Sequence, residues 1–328
     1  MRHQHLRLGA ICFSMLAASN VYASCGSTAC SINTNWDEHS LSKPGWSIDL
    51  RHQYSRADQL RSGSSKIAAD TNFGGEVENL RTLNKITTLS ADYTVDEHWG
   101  VVTNLPYVTR DHNHNLGPYT GNVSAGYESF YAQALGDIKI VGRYRWTLNE
   151  EKHSGVGIKF GLKLNTGRRD FALNTGIKPN EVTLQPGNGS TDLILGAFWN
   201  QATPGEALSW FAQGTLQRSL KNDVTFRPGD QINLDVGTRY AFGASLSGLL
   251  QLNAQWNATD SGTNAALSPV TGGASSGGRS VALTPGLSYA FMADANLYGL
   301  LQLPLYQYVN GEQLTASRSI TVGINHRF

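Results

Sequence analysis

The last ten residues, 319–328, alternate strictly between two kinds of side chain. Ile320, Val322, Ile324, His326 and Phe328 share one face, and Ser319, Thr321, Gly323, Asn325 and Arg327 share the other. A period of two means an extended strand whose faces meet different surroundings. The rhythm recurs upstream. Trp46, Ile48, Leu50, His52 and Tyr54 oppose Ser47, Asp49, Arg51 and Gln53, and Thr87, Leu89, Ala91, Tyr93 and Val95 line one side of the next run. Strands are expected at 46–54, 84–95, 99–109, 136–147, 155–165, 191–201, 207–219, 231–242, 246–258, 279–291, 295–307 and 319–328.

The connections alternate in length. Short ones fall at 96–98, 148–154, 202–206, 243–245 and 292–294, and long ones at 55–83, 110–135, 166–190, 220–230, 259–278 and 308–315. Strands of roughly ten to thirteen residues can cross a bilayer when tilted, whereas soluble strands run to about five or six. A soluble sandwich has no reason to alternate its loops this way. Lipid offers no partner for backbone N–H and C=O groups, so a sheet within it must close on itself. The pattern therefore predicts an all-β fold, a transmembrane up-and-down antiparallel β-barrel of about twelve strands over residues 46–328, with short periplasmic turns and longer outer loops. Trp46, Trp99, Trp146, Trp199, Tyr240, Trp256, Tyr289 and Phe328 lie near strand ends, where amphipathic rings sit at a membrane interface. The closing order of polar, any, Gly, any, any, aromatic, any, aromatic is similar to the assembly signal of bacterial outer-membrane barrels. Thr321, Gly323 and Phe328 fit it, and His326 replaces one aromatic.

Composition agrees. Mean hydropathy is −0.29, and past the N-terminus no apolar run is long enough for a spanning helix. A barrel needs none, since its lipid face is every second residue. The net charge of +1, with no basic run interleaved with aromatics, points away from nucleic acid. Arg2, His3, His5 and Arg7 followed by the short apolar stretch 8–18 and the small residues around Ala23 read as an export signal over 1–23, cleaved after Ala23. Residues 24–45 show no period and are expected to form a periplasmic or plug segment. Its Cys25 and Cys30 are an even pair in an exported chain and are expected to form a disulfide. Lipidation of Cys25 and a metal-binding thiolate pair are the alternatives.

Three stretches carry a further likeness: LGDIKIVGRYRW at 135–146, GLKLNTG at 161–167 and LQPGNGSTDLILG at 184–196. Together they resemble the outer-membrane proteins named for the meta-pathway of phenol degradation, a family of porin-like channels or transporters. The resemblance covers roughly 46–328. It implies a Gram-negative outer-membrane location, contact with lipid and the barrel-assembly machinery, and passage of a small solute.

If alternation holds, the lumen carries Asp49, Arg51, Asp92, Arg110, Asp137, Lys139, Arg143, Arg145, Lys159, Lys163, Asp192, Asp235, Arg239 and Arg327, nine basic residues against five acidic. Across the turn 148–154, Lys139, Arg143 and Arg145 should face Lys159 and Lys163. Rows of charge set pore preference, so Arg51, Lys139, Arg143, Arg145, Lys159, Lys163 and Arg239 are the candidate selectivity residues of a mildly anion-preferring channel. The other reading is a lumen filled by an Arg/Lys–Asp network, an occluded barrel with a binding or structural role, metal-related through the cysteines and His112 and His114. Those two histidines, spaced i, i+2 in a long outer loop, could meet one metal, although a solvated loop is the plainer reading. No cofactor is expected. His52, His98 and His153 have no convincingly placed serine beside them and there is no nucleophile elbow, so the chain does not read as an enzyme.

Overall fold

The computed structural model describes residues 44–68, 76–116, 127–151, 153–172, 174, 182–223, 225–263 and 275–328. The export signal, Cys25, Cys30 and the segment up to 43 lie outside the described residues.

The described chain is antiparallel sheet with one short 3-10 turn, Val182–Leu184. The strands are β1 (Gly45–Gly63), β2 (Ser65–Lys66), β3 (Glu76–Thr94), β4 (Trp99–Leu116), β5 (Tyr127–Leu135), β6 (Lys139–Asn149), β7 (Ser154–Lys163), β8 (Thr191–Ala202), β9 (Leu208–Lys221), β10 (Gln231–Ala241), β11 (Leu246–Asn257), β12 (Gly278–Met292) and β13 (Ala295–Arg327). Eleven of them pair in sequence order around a ring, and β13 pairs with β1 to close it. β2 and β5 lie outside that path. β13 is itself folded back. Its first half pairs with β12 and its second half with β1. The reversal is at Asn310-Gly311, where Gly311 takes φ +65°, a left-handed conformation that glycine adopts without a Cβ clash. Gln307 then donates across to the Ala316 carbonyl. Counting both arms of β13, the wall crosses twelve times, as the hydrophobic pattern predicts, and each edge is paired.

Through most of the wall, large apolar side chains face outward. Leu50, Leu89, Ile158, Phe160, Leu234, Val236, Leu250, Leu252, Val322 and Ile324 are all exposed on the protein itself, which is where lipid lies. At the short-turn end, aromatic rings form a girdle. Trp46 packs on Tyr93 and Trp99 on Tyr144, both at 4.7 Å between ring centroids, and Tyr144 meets Trp146 at 4.6 Å.

Three expected loops are largely strand: 308–315 is the tight reversal of β13, and two others lengthen the wall. β1 runs on to Gly63 and β3 begins at Glu76, so most of 55–83 belongs to the wall. β4 reaches Leu116, and β5 pairs with it from Asn115 down to Tyr107. β5 and β6 lie against the same edge of β4, separated by a break at 136–138, so they form one interrupted crossing. At the break, a side chain on Gly136 would run into Val108, Pro106 and the Pro186 carbonyl. The hydrophobic pattern missed the extension of β1 because a bulge between Arg56 and Gln59 shifts the alternation. Above the bulge, apolar residues point inward. Ala57 and Leu60 of β1, Phe130 and Ala132 of β5, and Leu314 of β13 surround Leu184, which the segment 164–190 carries into the barrel mouth.

Candidate functional site

The inward face of β6 and β7 is a ladder of cations. Lys139 stands directly opposite Lys163, and Arg143 directly opposite Lys159, the two rungs expected from the sequence. Two unit charges about 5 Å apart repel by roughly 3 kcal/mol at an effective dielectric of 20. The structure answers each cation differently.

Lys163 is buried and saturated. Its ammonium donates to Asp137 Oδ2 at 2.9 Å, Asn188 Oδ1 at 2.6 Å and the Ser190 carbonyl at 2.9 Å, with Asp192 Oδ2 at 3.4 Å. Asp137 Oδ1 also accepts from the Gly167 amide at 2.9 Å. Asp137, Lys163 with Gly167, and Asn188 with Asp192 come from the three stretches that carried the family likeness. Together they tie one knot, which pins both ends of segment 164–190 beneath the mouth. Arg110 fastens the later part of the segment, bonding Asn84 at 2.6 Å and the carbonyls of Thr183 and Gln185.

Arg143 pairs with Asp92 at 2.6 Å and donates to Thr94 at 2.7 Å. Its guanidinium lies flat over Gly100, where a side chain would collide with it, and Arg145 lies over Gly155 in the same way. Lys159 meets Gln213 at 2.7 Å, and Gln213 passes its own N–H to Asp235 at 2.7 Å. Lys139 meets Gln217 at 3.0 Å, and Gln217 donates to Asp192 at 2.6 Å. In both cases an amide turns its oxygen to a cation and its nitrogen to an anion, so charge is balanced at one remove. Arg51 pairs with Asp49 at 2.8 Å and bonds Ser90 at 3.0 Å. Arg239 sits between Ser209 and Leu249 on neighbouring strands, and the half-buried Arg327 lies opposite Ser47. The bridging amides were legible in principle: Gln213 and Gln217 occupy inward positions of the β9 alternation.

The seven candidate cations do not share one space. A cavity of about 620 Å³ occupies the outer half of the lumen, and Arg51, Lys139 and Lys163 line it. Arg143, Arg145, Lys159 and Arg239 do not. Arg143, Arg145 and Lys159 gather near Phe198, and Arg239 is paired with Leu249, which packs with buried Phe211, Tyr298 and Leu300 in an apolar layer inside the barrel. This apolar layer was not expected from the sequence. Its rings lie over wall glycines: Gly237 leaves room for Phe211, and Gly323 for Tyr298.

His112 does not lie in a solvated loop. It is buried in β4, hydrogen-bonded to Thr82 Oγ1 through Nδ1 at 2.9 Å and placed opposite Phe130. The side chain of His114 lies outside the described residues. Gly323 is the slot for Tyr298, whose hydroxyl donates to Asp49 at 2.8 Å. Thr321 is buried on the inward face, and exposed Phe328 anchors its amide on the Trp46 carbonyl and packs on His326. His52 faces outward, bonded to Thr87. Among the described residues, three carboxyls outside the wall are perturbed, one of them Asp223, lowered chiefly by the Thr225 amide. Asp96 accepts the Trp99 and His98 amides of a short turn, which pulls its pKa below the usual carboxylate range. Asp260, which lines the mouth of the cavity, is pushed up by burial, partly opposed by the Gly229 amide.

Comparison with known proteins completes the picture. The crystal structure of an outer membrane channel from Pseudomonas putida F1 superposes with a TM-score of 0.64 at 13% identity, over 87% of this chain and 96% of that one. The CymD monoaromatic hydrocarbon channel gives 0.45 at 11% identity over 92% and 95%, and the Ralstonia pickettii toluene transporter TbuX gives 0.43 at 11% over 94% and 99%. These neighbours are channels and transporters by name, not enzymes. No curated protein sequence matches the chain. The sequence profile described as "MetA-pathway of phenol degradation" matches residues 57–309. With its closed, lipid-faced wall and the motif knot at Lys163, the chain belongs to that family and is a β-barrel of the Gram-negative outer membrane.

Proposed function

We propose that the chain is an outer-membrane channel for small solutes with a mild preference for anions. The observation that carries this reading is the outer lumen cavity of about 620 Å³, where Lys139 faces open space with an amide rather than a carboxylate as its partner. Asp137 and Asp192 are spent on Lys163 and the bridging Gln217, so the cavity's own acids leave Lys139 uncompensated at first hand. Such a charge in a constricted aqueous path raises the local concentration of anions. The preference is mild because most other cations are balanced within the wall. The neighbours' printed names and the family's description concern aromatic solutes, which fits a lumen that also holds an apolar layer. Planar-bilayer recording in a salt gradient tests the reading. A small conductance whose reversal potential lies on the anion side is expected, and a cation-selective pore would overturn it.

The second reading, an occluded barrel, is favoured by one observation: segment 164–190 is knotted into the mouth. It makes a different forecast, namely no steps of conductance until Leu184 or Lys163 is replaced.

A further inference from the structure

The outer cavity has two unlike sides that meet on adjacent rungs. Ile86 of β3 and Val108 of β4 are directly paired, and Pro106 follows one inward position down. All three line the cavity. One rung below Pro106, Asn104 is paired with Lys139. On the other flank, Arg51 is paired with Thr88, which is itself paired with Pro106. An apolar floor therefore lies between an ammonium and a guanidinium, both within about 7 Å along or across the sheet.

Both cations keep donors in reserve. Lys139 uses one of its three N–H groups, on Gln217. Arg51 bonds through Nη1 alone, to Asp49 and Ser90, which leaves Nε and Nη2 without a protein acceptor among the described residues. Groups left short of acceptors beside a water-accessible apolar floor suit a ligand with an anionic head and an apolar body. A bare inorganic anion would waste the floor, and a neutral hydrocarbon would strand the donors.

We propose that this cavity is a binding site for a small organic monocarboxylate, its carboxylate held between Lys139 and Arg51 and its body resting on Ile86, Pro106 and Val108. The proposal deepens the anion-preferring channel reading and rests on it for its physiological sense, by naming the solute class of the same lumen.

The test separates the two. Binding is read by ligand-observed NMR on the detergent-solubilised full barrel, with benzoate as probe, benzamide as its neutral isostere and acetate as the head without a body. Benzoate should bind about tenfold or more tightly than either. Lys139→Gln should remove that advantage, since its partner is an uncharged amide and no buried carboxylate is orphaned. Lys85→Gln, on the exposed outer face, should leave binding unchanged. Heat-modifiable migration on gels reports folding. If Lys139→Gln does not fold, Val108→Thr carries the test, weakening benzoate several-fold but not acetate. Equal binding of benzoate and benzamide, or an unchanged Lys139→Gln, overturns the site. Absence of benzoate binding in a barrel that conducts overturns the site alone; benzoate binding in a barrel that never conducts overturns the channel and upholds the site.

Discussion

The lower and upper halves of this barrel use the same ladder and opposite rules. In the lower half, Leu234, Val236, Leu250 and Leu252 face out, while Asp235, Gln251 and Asn253 face in. In the upper half, Leu60, Phe130, Ala132 and Leu314 face in around Leu184, while Arg56 and Asp58 form an ion pair of 2.6 Å at the surface. Both halves are antiparallel ladder, the upper one interrupted by register shifts in β1 and β3. What differs is what each face touches: lipid outside and water inside below, water outside and an infolded segment inside above. Alternation reports the difference between two surroundings and is silent about which of them is the interior.

The junction of the halves is where the comparison breaks most easily. Lys163→Met would strand Asp137 and Asp192 in a buried site and should cost about 3–5 kcal/mol. Lys139→Met on the same rung loses one bond to an amide and should cost about 1 kcal/mol or less. Urea unfolding from lipid vesicles checks both, and equal losses would mean that burial rather than pairing distinguishes the two lysines.

The lipid belt comes next. Val236 is 57% exposed on the bare protein, and Val236→Arg should cost about 2–4 kcal/mol on insertion. Gln133→Arg, on the outward face of β5 in the upper half, should stay within about 0.5 kcal/mol. A comparable loss at Gln133 would place lipid higher on the wall than the comparison allows.

Leu184→Ala should cost about 2–3 kcal/mol, confined to the mouth. The barrel transition measured by heat-modifiability should hold while proteolysis within 164–190 accelerates and conductance rises. A lowered barrel transition would show that the upper core supports the whole wall.

The smallest effect is one of pH. Burial raises the pKa of Asp260 above its ordinary 3.8, so the folded mouth holds that proton more tightly than the unfolded chain. Its stabilisation is complete below about pH 3.8 and fades as pH climbs through the raised folded value. Amide protection at 258–262, corrected for the intrinsic pH dependence of exchange, should therefore fall as pH rises past the carboxyl's raised value, and Asp260→Asn should flatten the trend. A mouth that tightens as pH rises would contradict the upward shift of Asp260.

The amino-acid sequence by itself determined the lower half. Lipid on one side and water on the other impose a period of two on every crossing, so strand number, turn placement and the inward register of Lys139, Arg143, Lys159 and Lys163 could all be read from residue order. The closing strand with Phe328 was legible for the same reason. Only the tertiary structure decided which cations are free. Lys139 and Lys163 are indistinguishable in residue order, because the groups that separate them, Asn188, Asp192 and Gln217, arrive from 25 to 78 positions along the chain. The extended upper strands, the burial of His112 and the slot that Gly323 offers Tyr298 were likewise hidden. Each depends on a segment or ring folded into the lumen. Such contacts have no fixed period, since they are set by closure of the ring and not by the repeat of a strand.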